Sequence, residues 1–101
     1  MTRVEKTLAA VENQARQTVE IVNSKGLHAR AAAKFCKVAQ QFECEIVVTR
    51  DGTDVSGCSI MGLMMLAAAP GTSIEITATG ADSARAIEAL CCLVTEKFDE
   101  E

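Results

Sequence analysis

The sequence predicts an α+β fold in two layers, a four-stranded and mainly antiparallel sheet with three helices on one face. Three observations carry this expectation. Four short runs alternate polar and apolar residues, two longer runs place apolar residues at three- and four-residue steps, and Gly, Asp, Asn or Pro interrupts the chain between them. At 101 residues the chain has room for one core. With 49% of residues apolar and a single proline, its composition is that of a folded globular domain.

The first strand is expected at residues 17–22, where Gln17, Thr18, Val19, Glu20, Ile21 and Val22 alternate. Asn23, Ser24, Lys25 and Gly26 break the pattern. Ala32, Phe35, Cys36, Ala39 and Phe42 then share one face of a helix, with Lys34, Lys37, Gln40 and Gln41 on the other. A second strand runs through Cys44, Ile46 and Val48 to Arg50. Asp51-Gly52 makes a two-residue hairpin turn to a third strand centred on Val55, because both residues tolerate positive φ. Gly57 closes that strand, and Ser59 precedes residues 60–66 as the N-cap of a short helix. Pro70-Gly71 ends the helical region, and Ile74, Ile76 and Ala78 alternate with Glu75, Thr77 and Thr79 as the fourth strand. After Gly80 a last helix is capped by Asp82 or Ser83, with Ala84, Ile87, Cys91, Val94 and Phe98 as its buried stripe. Pattern alone does not separate this order from a ferredoxin-like arrangement of the same units.

Composition also excludes partners. A formal charge of −4 repels phosphate backbones, and three Phe with no Trp or Tyr provide poorly for stacking on bases, so nucleic acid is not an expected ligand. Residues 1–16 mix Arg3, Glu5, Lys6, Glu12 and Arg16 with short apolar groups and lack the apolar run of a signal peptide or membrane span. A cytoplasmic protein without membrane insertion is expected. Cys36, Cys44, Cys58, Cys91 and Cys92 form an odd set without C-x-x-C spacing, which suits reduced thiols acting as small core hydrophobes better than disulfides or a metal site. No metal and no cofactor is expected.

The chemistry concentrates at the one histidine. His28 stands in Gly26-Leu27-His28-Ala29-Arg30, where a loop meets the start of the first helix. A helix N-terminus leaves about four N–H groups without intrahelical partners and carries roughly half a positive charge, a natural anion site to which the backbone at Ala29 and Ala31 would contribute. Gly26 permits the bend of the loop over the helix end, and Arg30 supplies a guanidinium fork suited to phosphate oxygens. The positive field favours a neutral imidazole with a ring nitrogen free to attack phosphorus. A lone histidine also serves as a plain cap or packing residue, so local pattern does not decide its role.

Two segments taken together do more. Gly26-Leu27-His28-Ala29-Arg30-Ala31-Ala32-Ala33-Lys34-Phe35 and Val55-Ser56-Gly57-Cys58-Ser59-Ile60-Met61-Gly62-Leu63-Met64 closely resemble the two signatures of the HPr family, phosphocarriers of the phosphoenolpyruvate-dependent phosphotransferase system. Gly71, Gly80 and Ala81 match the later pattern, and the likeness spans residues 17–98. The resemblance implies the family's open-faced β-sandwich, a domain at residues 17–101 and a flexible or partly helical extension at residues 1–16. It further implies that His28 accepts a phosphoryl group from Enzyme I and passes it to an EIIA-type protein, with Arg30 as charged partner. It makes Ser59 a regulatory position for a serine kinase/phosphorylase. The implied molecule is a monomeric carrier, a phosphotransferase-system component of bacterial sugar transport, and not a stand-alone enzyme. The chain departs from the family at Ala31, where Pro is usual and fixes φ near the helix start, and at Cys58, where Lys is common.

The second helix is apolar nearly all round, more than one buried face requires. Ile60, Met61 and Met64 are therefore expected on an exposed docking patch, and Met65 and Leu66 in the core. Two other functions compete with the carrier. One is a regulatory docking module of the nitrogen-branch type, whose phosphorylation state selects its partner. The other is a small thiol or metal protein.

Overall fold

A computed structural model of the chain describes residues 13–100. The elements are β1 (Gln14–Glu20), α1 (Ala29–Ala39), β2 (Glu45–Arg50), β3 (Thr53–Ser56), α2 (Ile60–Met65), β4 (Ser73–Thr79) and α3 (Ser83–Thr95), followed by a short turn at Lys97–Asp99. The strands form one sheet in the order β1-β4-β2-β3, with every neighbouring pair antiparallel. β1 and β2 are therefore parallel, joined over α1 with β4 between them. β3 and β4 are parallel too, joined over α2. This order puts β1 at an edge and makes the fold an open-faced β-sandwich, the arrangement that residue pattern could not separate from the ferredoxin-like one.

Register gives the sheet its two unlike faces. Val19 stands opposite Ile74, Ile46 opposite Ala78 and Val48 opposite Ile76, all buried beneath the helices. The alternate positions Arg16, Thr18 and Glu20 of β1 lie on the open, solvated face with Glu75 and Thr77 of β4. The Asp51-Gly52 turn has positive φ at both residues, 51° and 80°, which matches the twist of the β2–β3 hairpin. α1 buries Ala31, Ala32, Phe35, Cys36 and Ala39, and its neighbours are α2 and α3, while α3 lies across β1 and β4. Phe35, Ile21, Leu63, Ile76, Leu90 and Phe98 are fully inaccessible at the centre, where each such side chain contributes about 1.5–3 kcal/mol.

Several expectations need correction. β1 begins at Gln14, and Gln14, Ala15 and Arg16 pair with Thr79, Ala78 and Thr77. The sheet therefore reaches into the segment expected as an extension; residues 1–12 of that segment lie outside the described residues. α3 ends at Thr95, its buried side is Ser83, Ala86, Ile87, Leu90 and Val94, and Ala84 is exposed while Cys91 is half-buried. Phe98 lies beyond the helix in a left-handed turn, and Lys97, Phe98 and Asp99 have φ of 61°, 54° and 61°. Asp82 precedes α3 without capping it; its Oδ2 accepts from the Glu43 N–H at 2.9 Å. Met65 is 77% exposed, whereas Leu66 is buried as expected. Cys58 and Cys92 are exposed, and only Cys36 is buried, its Sγ donating to the Cys58 carbonyl.

Candidate functional site

His28 is the N-cap residue of α1, with extended backbone (φ −80°, ψ 179°) and no side-chain bond to its own helix. Its carbonyl accepts the Ala32 N–H at 2.8 Å, so the N–H groups of Ala29, Arg30 and Ala31 precede the first intrahelical bond. The loop before it is pinned. Gly26 has φ +65° and a Cβ there would stand 2.6 Å from the Ala68 carbonyl oxygen, which is why glycine occupies the position. The Leu27 N–H donates to that same carbonyl at 3.0 Å. The methyl of Ala31 is fully buried while Ala29 and Arg30 are exposed, so one turn of helix faces both the core and the site.

The imidazole is not alone. Nε2 of His28 lies 2.5 Å from Oε2 of Glu100, a contact that spans 72 positions of sequence. The other carboxylate oxygen of Glu100 accepts from Asn23 Nδ2 at 3.1 Å, and the same Nδ2 donates to the Gly26 carbonyl at 2.8 Å. Burial by itself would raise the Glu100 carboxyl, but the hydrogen bonds from His28 and Asn23 and the charges of His28 and Lys34 outweigh it and hold it below the ordinary 4.5. Lys34 Nζ donates to the Phe98 carbonyl at 2.6 Å, so this half-buried lysine ties the turn at Phe98 to α1. Nδ1 of His28 has no partner among the described residues.

Beside this cluster a cleft of about 260 Å³ is lined by Ser24, Lys25, Arg30, Lys34, Asp99 and Glu100. A second hollow of similar size joins His28 and Lys25 to residues 67–70. Three cations thus line the first cleft beside Asp99 and Glu100, Lys25 alone of them also borders the hollow that holds His28, and no described residue pairs with the Arg30 guanidinium. Such cations, one helix turn from the free N–H groups of Ala29, Arg30 and Ala31, suit an anion in this region. Spacing singled out His28, Arg30, Ala29 and Ala31; it missed Asn23, Lys34 and Glu100. Asn23 read as a turn residue, and nothing periodic marks a glutamate 72 positions away.

Ser59 caps α2 by accepting the Gly62 N–H at 3.0 Å. Ile60, Met61 and Met64 are 41%, 72% and 42% exposed, and with Met65 they form one apolar surface on α2, the helix packed beside α1. Among the described residues no group of His, Cys, Asp and Glu could hold a metal ion, and all five cysteines are free. No described helix is long and apolar enough to cross a membrane.

Known proteins share both the sequence and the shape. Residues 15–96 match the family described as the PTS HPr component phosphorylation site. Phosphocarrier protein HPr of Neisseria meningitidis is 53% identical over 85 residues, covering 84% of this chain and 96% of that protein. Phosphocarrier protein NPr of Escherichia coli is 40% identical over 87 residues, covering 85% and 97%. The crystal structure of HPr from Thermoanaerobacter tengcongensis superposes with a TM-score of 0.83 at 42% identity, over 86% of this chain and 98% of that one. A shared phosphorylation-site signature, a shared strand order and identities of this size leave one conclusion: the chain belongs to the HPr family of phosphocarrier proteins.

Proposed function

We propose that the protein is a cytoplasmic carrier that takes a phosphoryl group on His28 from Enzyme I and delivers it to an EIIA-type protein. The observation that supports this most directly is the placement of the imidazole. It stands at the N-terminus of α1, with Nε2 held by Glu100, whose carboxylate lines a cleft edged by Lys25, Arg30 and Lys34, and with Nδ1 lacking a partner among the described residues. With Nε2 engaged, Nδ1 is the nitrogen left to attack phosphorus. The N–H groups of the first helical turn, including those of Ala29 and Ala31, favour the transferred anion, and Arg30 faces its oxygens. Dipole effects of about 0.3–1 kcal/mol hold the group without trapping it.

Docking belongs to the α2 surface of Ile60, Met61 and Met64, where flexible methionines suit small, successive interfaces with different partners. Ser59, at the start of this helix, is the regulatory position; a phosphate there adds a charge of about −1.5 to −2 beside the apolar surface. The test is intact mass after incubation with Enzyme I, magnesium and phosphoenolpyruvate. Wild type gains one acid-labile phosphoryl group and His28→Ala gains none. A wild type that takes up nothing from competent Enzyme I returns the docking-module reading in its place.

A further inference from the structure

The chain end is held in a conformation that its own residues do not favour. Lys97, Phe98 and Asp99 are all left-handed, a backbone that L-residues avoid. Four contacts impose it. Phe98 is fully buried, Lys34 Nζ donates to its carbonyl, Asn23 Nδ2 donates to Glu100 Oε1, and His28 Nε2 meets Glu100 Oε2. Asn23 is itself completely buried and anchored to the Gly26 carbonyl, so the carboxylate rests on a fixed support. Strain concentrated on the residues that deliver one carboxylate to one imidazole points to a use for that contact.

We infer that Glu100 is a positioning residue for phosphoryl transfer, holding the His28 ring by its Nε2–H so that Nδ1 presents its lone pair to the incoming phosphorus. The inference rests on the carrier reading above and deepens it. In the transfer the Nδ1 lone pair forms the N–P bond while the donor's bond to phosphorus breaks and its electron pair leaves with the donor. The Nε2 proton stays on the ring, and the positive charge that the ring acquires faces the Glu100 carboxylate. Asn23 and Lys34 act through Glu100, one on the carboxylate and one on the turn that carries it. Arg30 lines the cleft beside Glu100, together with Lys25 and Lys34.

His28 is the chain's one histidine, so its ring nitrogens are read without ambiguity in protein grown with nitrogen-15 histidine. Wild type is expected to show one ring proton, on Nε2, and to protect it from exchange with water. In Glu100→Ala that protection disappears and the initial rate of phosphorylation by Enzyme I falls about tenfold. Glu100→Gln, whose amide oxygen still accepts from Nε2–H, keeps the protected proton and a rate between the two. A protected proton in Glu100→Ala, or phosphorylation of that variant at the wild-type rate, overturns the inference while leaving the carrier reading intact. A wild type that accepts no phosphoryl group overturns the carrier reading and this inference with it.

Discussion

Asn23 and Glu100 show how few polar atoms hold the site together. The amide nitrogen of Asn23 has acceptors on two sides, the Gly26 carbonyl and the Glu100 carboxylate, which determines the orientation of the amide. The cost of that orientation is Oδ1, buried without a hydrogen-bond donor among the described residues. Glu100 carries a testable pH signature. Its carboxyl is held below the ordinary 4.5 in the folded protein, so the stabilisation it contributes is present above that value. It is lost as pH falls through the lowered one. Urea unfolding should therefore find Glu100→Gln less stable than wild type at neutral pH, and the difference should vanish well below pH 4.5; a constant difference across that range would remove the ionised carboxylate as its source. Residue type and local spacing singled out His28 and Arg30, because a helix start advertises itself. Asn23 and Glu100 carry no such mark, since each matters only through a partner supplied by the fold.

Among the elements of the described residues, α2 is the shortest α-helix and the most dependent on its ends. Ser59 accepts the Gly62 N–H at its start, and Arg50 Nη1 donates to the Leu66 carbonyl at its finish at 3.0 Å. Six residues do not make a stable helix alone, so these contacts and the buried Leu63 fix it to the hairpin. Ser59→Ala should lower unfolding free energy by about 1 kcal/mol, read by urea titration. Ser59→Asp should keep the cap and the fold yet slow phosphorylation of His28, because its charge stands beside the apolar surface of Met61 and Met64. Transfer at the wild-type rate would remove Ser59 as a switch. The run of apolar residues revealed the helix and its surplus of apolar surface but misplaced Met65. On so short a helix the buried side is set by where β3 and α1 happen to lie. α3 shows the same limit: two apolar stripes, one through Ala84 and Cys91 and one through Ala86 and Leu90, fit its sequence, and packing on β1 and β4 selected the second.

At the scale of the molecule, Phe98 joins core and site. Its ring is fully buried, its carbonyl holds Lys34, and two residues later Glu100 meets His28. Phe98→Ala should cost about 3–5 kcal/mol of stability and should also release the chain end from His28. Under native conditions the protected Nε2 proton would then be lost from protein that is still folded; a site unchanged in such a variant would show that the turn is held without its anchor. What the sequence by itself determined was of short range: four alternating strands, the Asp51-Gly52 hairpin, the Ser59 cap, and a histidine and an arginine at a helix start. Those features depend on neighbours three or four positions away, where periodicity and turn chemistry are written directly. Only the tertiary structure decided the order β1-β4-β2-β3, the extra pairs that carry β1 back to Gln14, and the left-handed turn that ends on Glu100. Strand order and a carboxylate across 72 positions are chosen by the packing of distant surfaces, and no window of the sequence contains both partners.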